Sequence, residues 1–330
     1  MQPYTEHFYE NQKRGSRQSA KEIVPFVLEL VQPKCVIDIG CGVGTWLAVF
    51  REYGVEDIVG VDGEYVDRGQ LAIPQDRFFP RDLKTPLWMD RQFDLAVSLE
   101  VAEHLPNACA EGFVDTLTRL SPVVLFSAAI PFQGGTEHNN EQWPEYWAKL
   151  FQAREYAVID CLRKRVWNND NVEWWYAQNI LLFVQQSYLT SHPMLQRERE
   201  NTAAQLSLVH PKKYLEVIRL QLAMQDLTAL IPPREACILV DQDHFRHVLP
   251  TGHRFFPFLE KEGEYWGPPA NDATAIHELE RLRGAGANFL IFLWPAFWWI
   301  DYYREFLSYL RSEFRCVLHN DRLIAFNLRS

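Results

Sequence analysis

The run Val36-Ile37-Asp38-Ile39-Gly40-Cys41-Gly42-Val43-Gly44-Thr45-Trp46 constrains the fold more than any other stretch of the chain. An apolar segment, Cys35 to Ile39, leads straight into closely spaced glycines, and the helical pattern Thr45 to Tyr53 follows. Glycine is needed where a backbone must bend sharply and approach a ligand closely, because a β-carbon would collide with it. A nearly continuous apolar strand suits a parallel sheet covered on both faces, and ligands of such sheets sit at the strand's C-terminal end.

Alternation extends this reading in both directions. Before the turn, Ile23, Phe26, Val27 and Leu30 have helical spacing over Ser19 to Val31, and Pro33 marks the end. After it come strands over Asp57 to Val61, Arg77 to Phe79 and Phe93 to Ser98, a helix over Ala110 to Leu120 and a strand over Val123 to Ala128. Pro144 opens a helix to about Arg154, and Ala157 to Val166 and Tyr176 to Val184 read as two late, antiparallel strands. The expected fold is a doubly wound, mostly parallel seven-stranded α/β sheet of the Rossmann-like kind.

Ser187 to Arg234 is polar and helical in pattern, broken at His210-Pro211 and Pro232-Pro233, and reads as a connector. A smaller α/β unit then has strand Cys237 to Asp241, a helix from Asp272 to Arg283 stopped by Gly284, strand Asn288 to Trp294, helix Ala296 to Arg311, and strands near Cys316 and Leu323. The expected division is therefore a first domain over 1–186, a helical connector over 187–235 and a small α/β domain of open role over 236–330. A length of 330 residues, 47% hydrophobic and 23% charged, supplies enough chain for two cores.

The formal net charge of -10 and the lack of any long Lys or Arg block disfavour nucleic acid as a partner. The start, MQPYTEHFYENQKRG, has no apolar core of a signal peptide, and Phe289 to Trp294, cut off by Pro295, is too short to span a bilayer. Six cysteines without a C-x-x-C pair suit reduced thiols, so a cytoplasmic location is expected. Oligomeric state is left open.

The glycine spacing carries the chemistry. A dinucleotide fingerprint G-x-G-x-x-G would place its third glycine at position 45, where Thr45 stands, while the glycine falls at Gly44. With Asp38 ahead of the turn, the segment instead resembles motif I of the class I S-adenosylmethionine-dependent methyltransferases. The resemblance implies that Asp38, Gly40, Cys41, Gly42, Gly44, Thr45 and Trp46 hold S-adenosyl-L-methionine. Asp62 ends the second strand, where it can accept hydrogen bonds from both ribose hydroxyls. Asp82, followed by Leu83, is similar to the family's adenine-binding acid, and Phe93 to Leu105, which contains Glu100, looks like its fourth-strand motif. Ser16, Arg17 and Ser19 resemble an arm over the cofactor in which Arg17 meets the carboxylate; a helix cap with a solvated Arg is the other reading. The resemblance covers about residues 1 to 185.

A sulfonium methyl is already a good electrophile, so such an enzyme must align the acceptor and manage its proton. An alcohol acceptor calls for a base or a metal, an amine for less. Glu100, Glu103 and His104 would project to one side if the chain turns helical there. The loop Gly134 to Trp147 adds His138 and Glu141. In ubiquinone-pathway O-methyltransferases and small-RNA 2'-O-methyltransferases a similar E-x-x-E-H element binds a divalent metal, and the RNA enzymes add a later His. That likeness implies a magnesium or manganese site at Glu100, Glu103, His104 and His138. Alternatively His104 and His138 act as bases without a metal, and Glu141 either assists or only caps the helix at Pro144.

His138 to Trp147 also resembles loops of methyltransferases encoded with polysaccharide and glycan biosynthesis enzymes, which implies a sugar hydroxyl as acceptor. Trp143, Tyr146 and Trp147 could stack on a sugar or belong to the core, and the aromatic clusters around Tyr265-Trp266 and Trp294 to Trp299 leave the same choice. The expected activity is O-methylation of a sugar or small molecule. RNA 2'-O-methylation and a cofactor-binding scaffold without turnover are the alternatives.

Overall fold

The computed structural model describes residues 6–135, 137–203, 205–245, 249 and 252–329, with side chains from residue 15 onward. The first five residues of the polar arm and Thr136 of the 134–147 loop lie outside it. The chain divides into one compact unit over Glu10–Lys213 and another formed mainly by Tyr214–Ser330.

The first unit opens with α1 (Glu6–Val31), whose Ile23, Val24 and Val27 are fully buried. β1 (Cys35–Ile39) follows, and its side chains alternate between two cores: Val36 joins one apolar cluster, Ile37 and Ile39 the other. That two-sided burial, at about 1.5–3 kcal/mol per large apolar side chain, explains the unbroken apolar run. Then come α2 (Thr45–Glu52), β2 (Asp57–Asp62), β3 (Phe78–Pro80), β4 (Leu95–Leu99), α3 (Ala110–Leu120), β5 (Val123–Ser127), α4 (Pro144–Gln152), β6 (Tyr156–Ile159), α5 (Arg163–Val166), α6 (Trp174–Asn179) and β7 (Leu181–Gln185). They build a seven-stranded sheet in the order β3-β2-β1-β4-β5-β7-β6. The first five strands are parallel, and β7 runs antiparallel between β5 and β6. The Rossmann-like expectation holds, and β1 and α3 have the bounds read from the sequence.

Two late segments need correction. Ala157 to Val166 is strand only through Ile159, and Tyr176 to Val184 becomes strand only at Leu181, because α5 and α6 occupy the remainder. Arg163 explains the first difference. It is 1% exposed, pairs with Asp160 at 2.6 Å and donates to the carbonyls of Gln178 and Leu206, so a helical turn is fixed where the apolar pattern suggested extension.

Next come α7 (Gln186–Leu189), α8 (Pro193–Glu200) and α9 (Pro211–Leu230), the last running across the division between the units. The second unit holds β8 (Ala236–Val240), β9 (Arg254–Pro257), the small hairpin β10 (Glu260–Lys261) and β11 (Glu264–Tyr265), α10 (Asp272–Gly284), β12 (Phe289–Leu293), α11 (Trp298–Tyr302), α12 (Arg304–Glu313), β13 (Arg315–His319) and β14 (Leu323–Asn327). Its five-stranded sheet is ordered β13-β14-β12-β8-β9. The single helix expected over Ala296 to Arg311 is two helices, and the left-handed residue after α10 is Gly286, at φ 99°, rather than Gly284. Trp299 is 1% exposed and packs near Phe258 and Phe292, so this aromatic belongs to the core. Among the described residues no helix is long and apolar enough to cross a membrane.

Candidate functional site

The glycine turn leaves the C-terminal end of β1. The amides of Gly40 and Cys41 both donate to the Val61 carbonyl, at 2.8 and 3.2 Å, which binds the turn to the end of β2. Gly40, at φ 88°, lies where a β-carbon would meet Val101 Cγ2 at 2.3 Å. Gly42, at φ 55°, is different: apart from its chain neighbours, nothing among the described residues lies within 4 Å of the β-carbon it lacks. One glycine is required by packing, the other sits beside open space that a ligand can fill.

Asp62, 4% exposed, faces this turn. Its Oδ2 accepts from the Gly42 amide at 2.6 Å, and its Oδ1 accepts from the Gly63 amide at 2.6 Å and the Tyr65 hydroxyl at 2.5 Å. Asp38 is 3% exposed, and burial, reinforced by the Asp62 charge, pushes its carboxyl well above the usual range. Burial first, then the charges of Asp38 and Asp62, raise the Cys41 thiol as well. Thr45 and Trp46 begin α2, and the Trp46 ring meets Tyr176 edge-on at 5.2 Å.

The outlying expected contacts are placed as follows. Arg17 pairs with Glu52 at 2.5 Å, Ser16 shares a hydrogen bond with Tyr176, and Ser19 accepts from the Glu173 amide. Asp82 is exposed and accepts from the Lys84 amide at 3.0 Å, while Leu83 packs on the core.

Beyond β4 the chain makes only a three-residue 3-10 turn, Ala102–His104. Glu100 stands before it at φ 55°, so the helical spacing that would align Glu100 with Glu103 and His104 does not form. Its carboxylate instead accepts from Gln133 Nε2 at 2.9 Å and Asn179 Nδ2 at 3.1 Å. Burial pushes the Glu100 carboxyl up, and the Asn179, Ser127 and Gln133 donors offset only part of that rise. Gln178 completes this amide network through Gln133 and Asn179. Isolated Gln and Asn residues give no pattern in a sequence; only the clustering of Gln133 next to the loop with Gln178-Asn179 before a strand hints at them.

Glu103, His104 and His138 do come together. Each offers a ligand atom, and all of these lie within 4.8 Å of one another. Glu103 is 0% exposed, and among the described residues neither carboxylate oxygen has a hydrogen-bond partner. Burial, then the nearby Glu100, push its carboxyl well above the usual range. A buried carboxylate in this state calls for a proton or a cation. The loop is held against this turn by Asn139 and Asn140, whose amides donate to the Glu103 carbonyl at 2.7 and 2.9 Å, and the two imidazoles stand edge-on at 4.8 Å.

Glu141 organises the same loop. It accepts from the amides of Phe132 at 2.6 Å and Gly134 at 2.8 Å, and pairs with His138 Nδ1 at 2.9 Å. Its role as a cap of α4 is not seen, since Trp143 holds the capping position before Pro144 and no side chain caps the helix there. A carboxylate on Nδ1 fixes the ring and directs Nε2 toward a partner. Of the loop aromatics, Trp147 is 2% exposed beside Phe126 and belongs to the core, whereas Trp143 stays partly exposed.

A family model described as "Methyltransferase domain" matches residues 9–179, just over half of the chain. No curated protein matches it. Similar solved structures include the methyltransferase domain of bacterial CtHen1-C, at 22% identity over 51% of this chain and 97% of that one, with a TM-score of 0.39. DesVI of Streptomyces venezuelae is similar at 13% identity over 54% and 95%, TM-score 0.40. The magnesium protoporphyrin IX methyltransferase ChlM of Synechocystis PCC 6803 is similar at 17% identity over 52% and 84%, TM-score 0.38.

Proposed function

Because the chain belongs to the methyltransferase-domain family, we propose that it transfers a methyl group from S-adenosylmethionine to a hydroxyl oxygen of a sugar or other small molecule. S-adenosylmethionine is its cofactor, and supplies an electrophilic sulfonium methyl when bound. The open space at Gly42 and the adjacent Asp62 carboxylate fit its adenosyl part. Asp38, Gly40, Cys41, Gly44, Thr45 and Trp46 form the surrounding turn and helix start.

The observation that carries the choice of oxygen is Glu103, buried near two imidazoles with no hydrogen-bond partner for either carboxylate oxygen among the described residues. A hydroxyl acceptor must lose its proton as the new bond forms, and that demand is met by a base or a cation site. His138, oriented through Nδ1 by Glu141, presents Nε2 as the proton acceptor, with His104 beside it. A manganese ion would be held by Glu103, His104 and His138, a set with two imidazoles and one carboxylate that suits magnesium poorly, and would ease deprotonation of a bound hydroxyl as a Lewis acid. Glu100, engaged by Asn179 and Gln133, shapes the wall behind this cluster.

The test is incubation with methyl-labelled cofactor and a panel of nucleotide sugars, lipids and RNAs, with and without manganese. Transfer to oxygen is expected, lowered about 10²- to 10⁴-fold in His138→Ala and about 10- to 100-fold in Glu141→Gln. Label on nitrogen or carbon, or activity indifferent to His138→Ala and to chelation, contradicts the proposal. Label on RNA alone replaces the small-molecule acceptor with a ribose hydroxyl.

A further inference from the structure

We propose that Tyr65 competes with the cofactor's ribose for Asp62, and so sets the affinity and the binding rate of the adenosyl group. The proposal rests on the reading that Asp62 receives the ribose hydroxyls. A carboxylate offers about four lone-pair sites. Three are taken: by the Gly42 amide, the Gly63 amide and the Tyr65 hydroxyl. A ribose diol brings two donors to the one site left, so a present donor must leave.

The two amides belong to backbone that the turn geometry fixes. The tyrosine hydroxyl is the only one of the three on a rotatable side chain, and Tyr65 is 84% exposed. Its ring lies folded back over Gly63, where a β-carbon would meet Cε1 at 2.1 Å, so that glycine lets the side chain reach Asp62. A phenol is protonated at neutral pH, and the Asp62 carboxylate it touches strengthens its hold on the proton, so it is a donor. Tyr65 therefore stands in for one ribose hydroxyl, leaves when the diol docks, and returns to Asp62 as the demethylated product departs.

Calorimetry and stopped-flow binding of S-adenosylhomocysteine to the full chain test this, with Tyr65→Phe keeping the ring and removing only the hydroxyl. The variant is expected to bind about three- to tenfold tighter, through faster association. The 2'-deoxy analogue of the same ligand needs one acceptor site only, and its affinity is expected to change less than twofold. Equal or weaker binding of S-adenosylhomocysteine by Tyr65→Phe overturns the proposal, as does an equal gain for both ligands. Binding lost in Asp62→Asn but unmoved by Tyr65→Phe rejects the competition alone. Binding indifferent to Asp62→Asn rejects the assignment of the ribose site, and the competition with it.

Discussion

At Asp38 the demands of binding and of stability diverge. The carboxyl is 3% exposed, and its affinity for a proton is raised by burial and by Asp62. A carboxyl raised on folding binds its proton more tightly in the native state. Its contribution therefore favours folding at low pH and turns against it as pH rises from the ordinary carboxyl range through the raised native value. Asp38→Asn removes that opposition. The variant is expected to melt at a higher temperature than the parent at pH 7, with the difference shrinking toward pH 4, and to bind S-adenosylhomocysteine more weakly; calorimetric melting across pH reads the first effect. Such a trade is common where a site holds charge against its surroundings. The turn itself was legible: glycine type and spacing gave a bend after β1, and Asp62 at the end of β2 meets it at the Gly42 amide. What could not be read was that Asp62 already has Tyr65 as a partner, since a hydrogen bond between a strand end and the next loop depends on side-chain rotation.

At the scale of elements, the cluster around Glu103 departs from expectation because of one short turn. The E-x-x-E-H spacing aligns three side chains only on a helix, and the chain after β4 supplies a three-residue 3-10 turn preceded by a left-handed Glu100. Glu103 and His104 consequently meet His138 from the loop, while Glu100 joins the amides of Gln133 and Asn179. Asn179 is 3% exposed at the end of α6, a helix that the apolar pattern Tyr176 to Val184 concealed. Periodicity cannot separate a short buried helix from a strand, whereas β1 and α3 were legible because their burial patterns are unambiguous over their whole length. Asn179→Ala deprives Glu100 and Gln133 of a donor and is expected to cost about 1–3 kcal/mol of stability. Denaturant titration should show it, together with a fall in methyl transfer that Asn179→Gln does not restore, because the longer side chain shifts the amide. A loss under about 0.5 kcal/mol would mean the network relaxes without it.

For the whole molecule, every residue assigned to the cofactor and to the Glu103 cluster lies within the Glu10–Lys213 unit. The Tyr214–Ser330 unit has its own five-stranded sheet and its own apolar clusters. A chain ending at Lys213 is therefore expected to bind S-adenosylhomocysteine within about twofold of the full chain, as each unit has the core a domain needs. A much larger loss, measured by calorimetry on a truncated protein that still melts cooperatively, would show that the second unit takes part in the cofactor site. The alternation of strands and helices in both units was legible because the central strands β1, β4, β5, β8 and β12 are buried on both faces. The hairpin β10-β11 was not, since its strands are two residues each and mostly exposed.

We propose that the open side of Gly42, beside Asp62, receives the adenosyl group. Equilibrium binding of methyl-labelled S-adenosylmethionine to the purified full chain tests it most directly, with excess S-adenosylhomocysteine as competitor and Gly42→Val as control. Saturable, competed binding is expected, falling at least about 100-fold in the valine variant, whose side chain would occupy the open space and strain a left-handed backbone position. No saturable binding by the parent chain, or binding that the valine leaves unchanged, would contradict it.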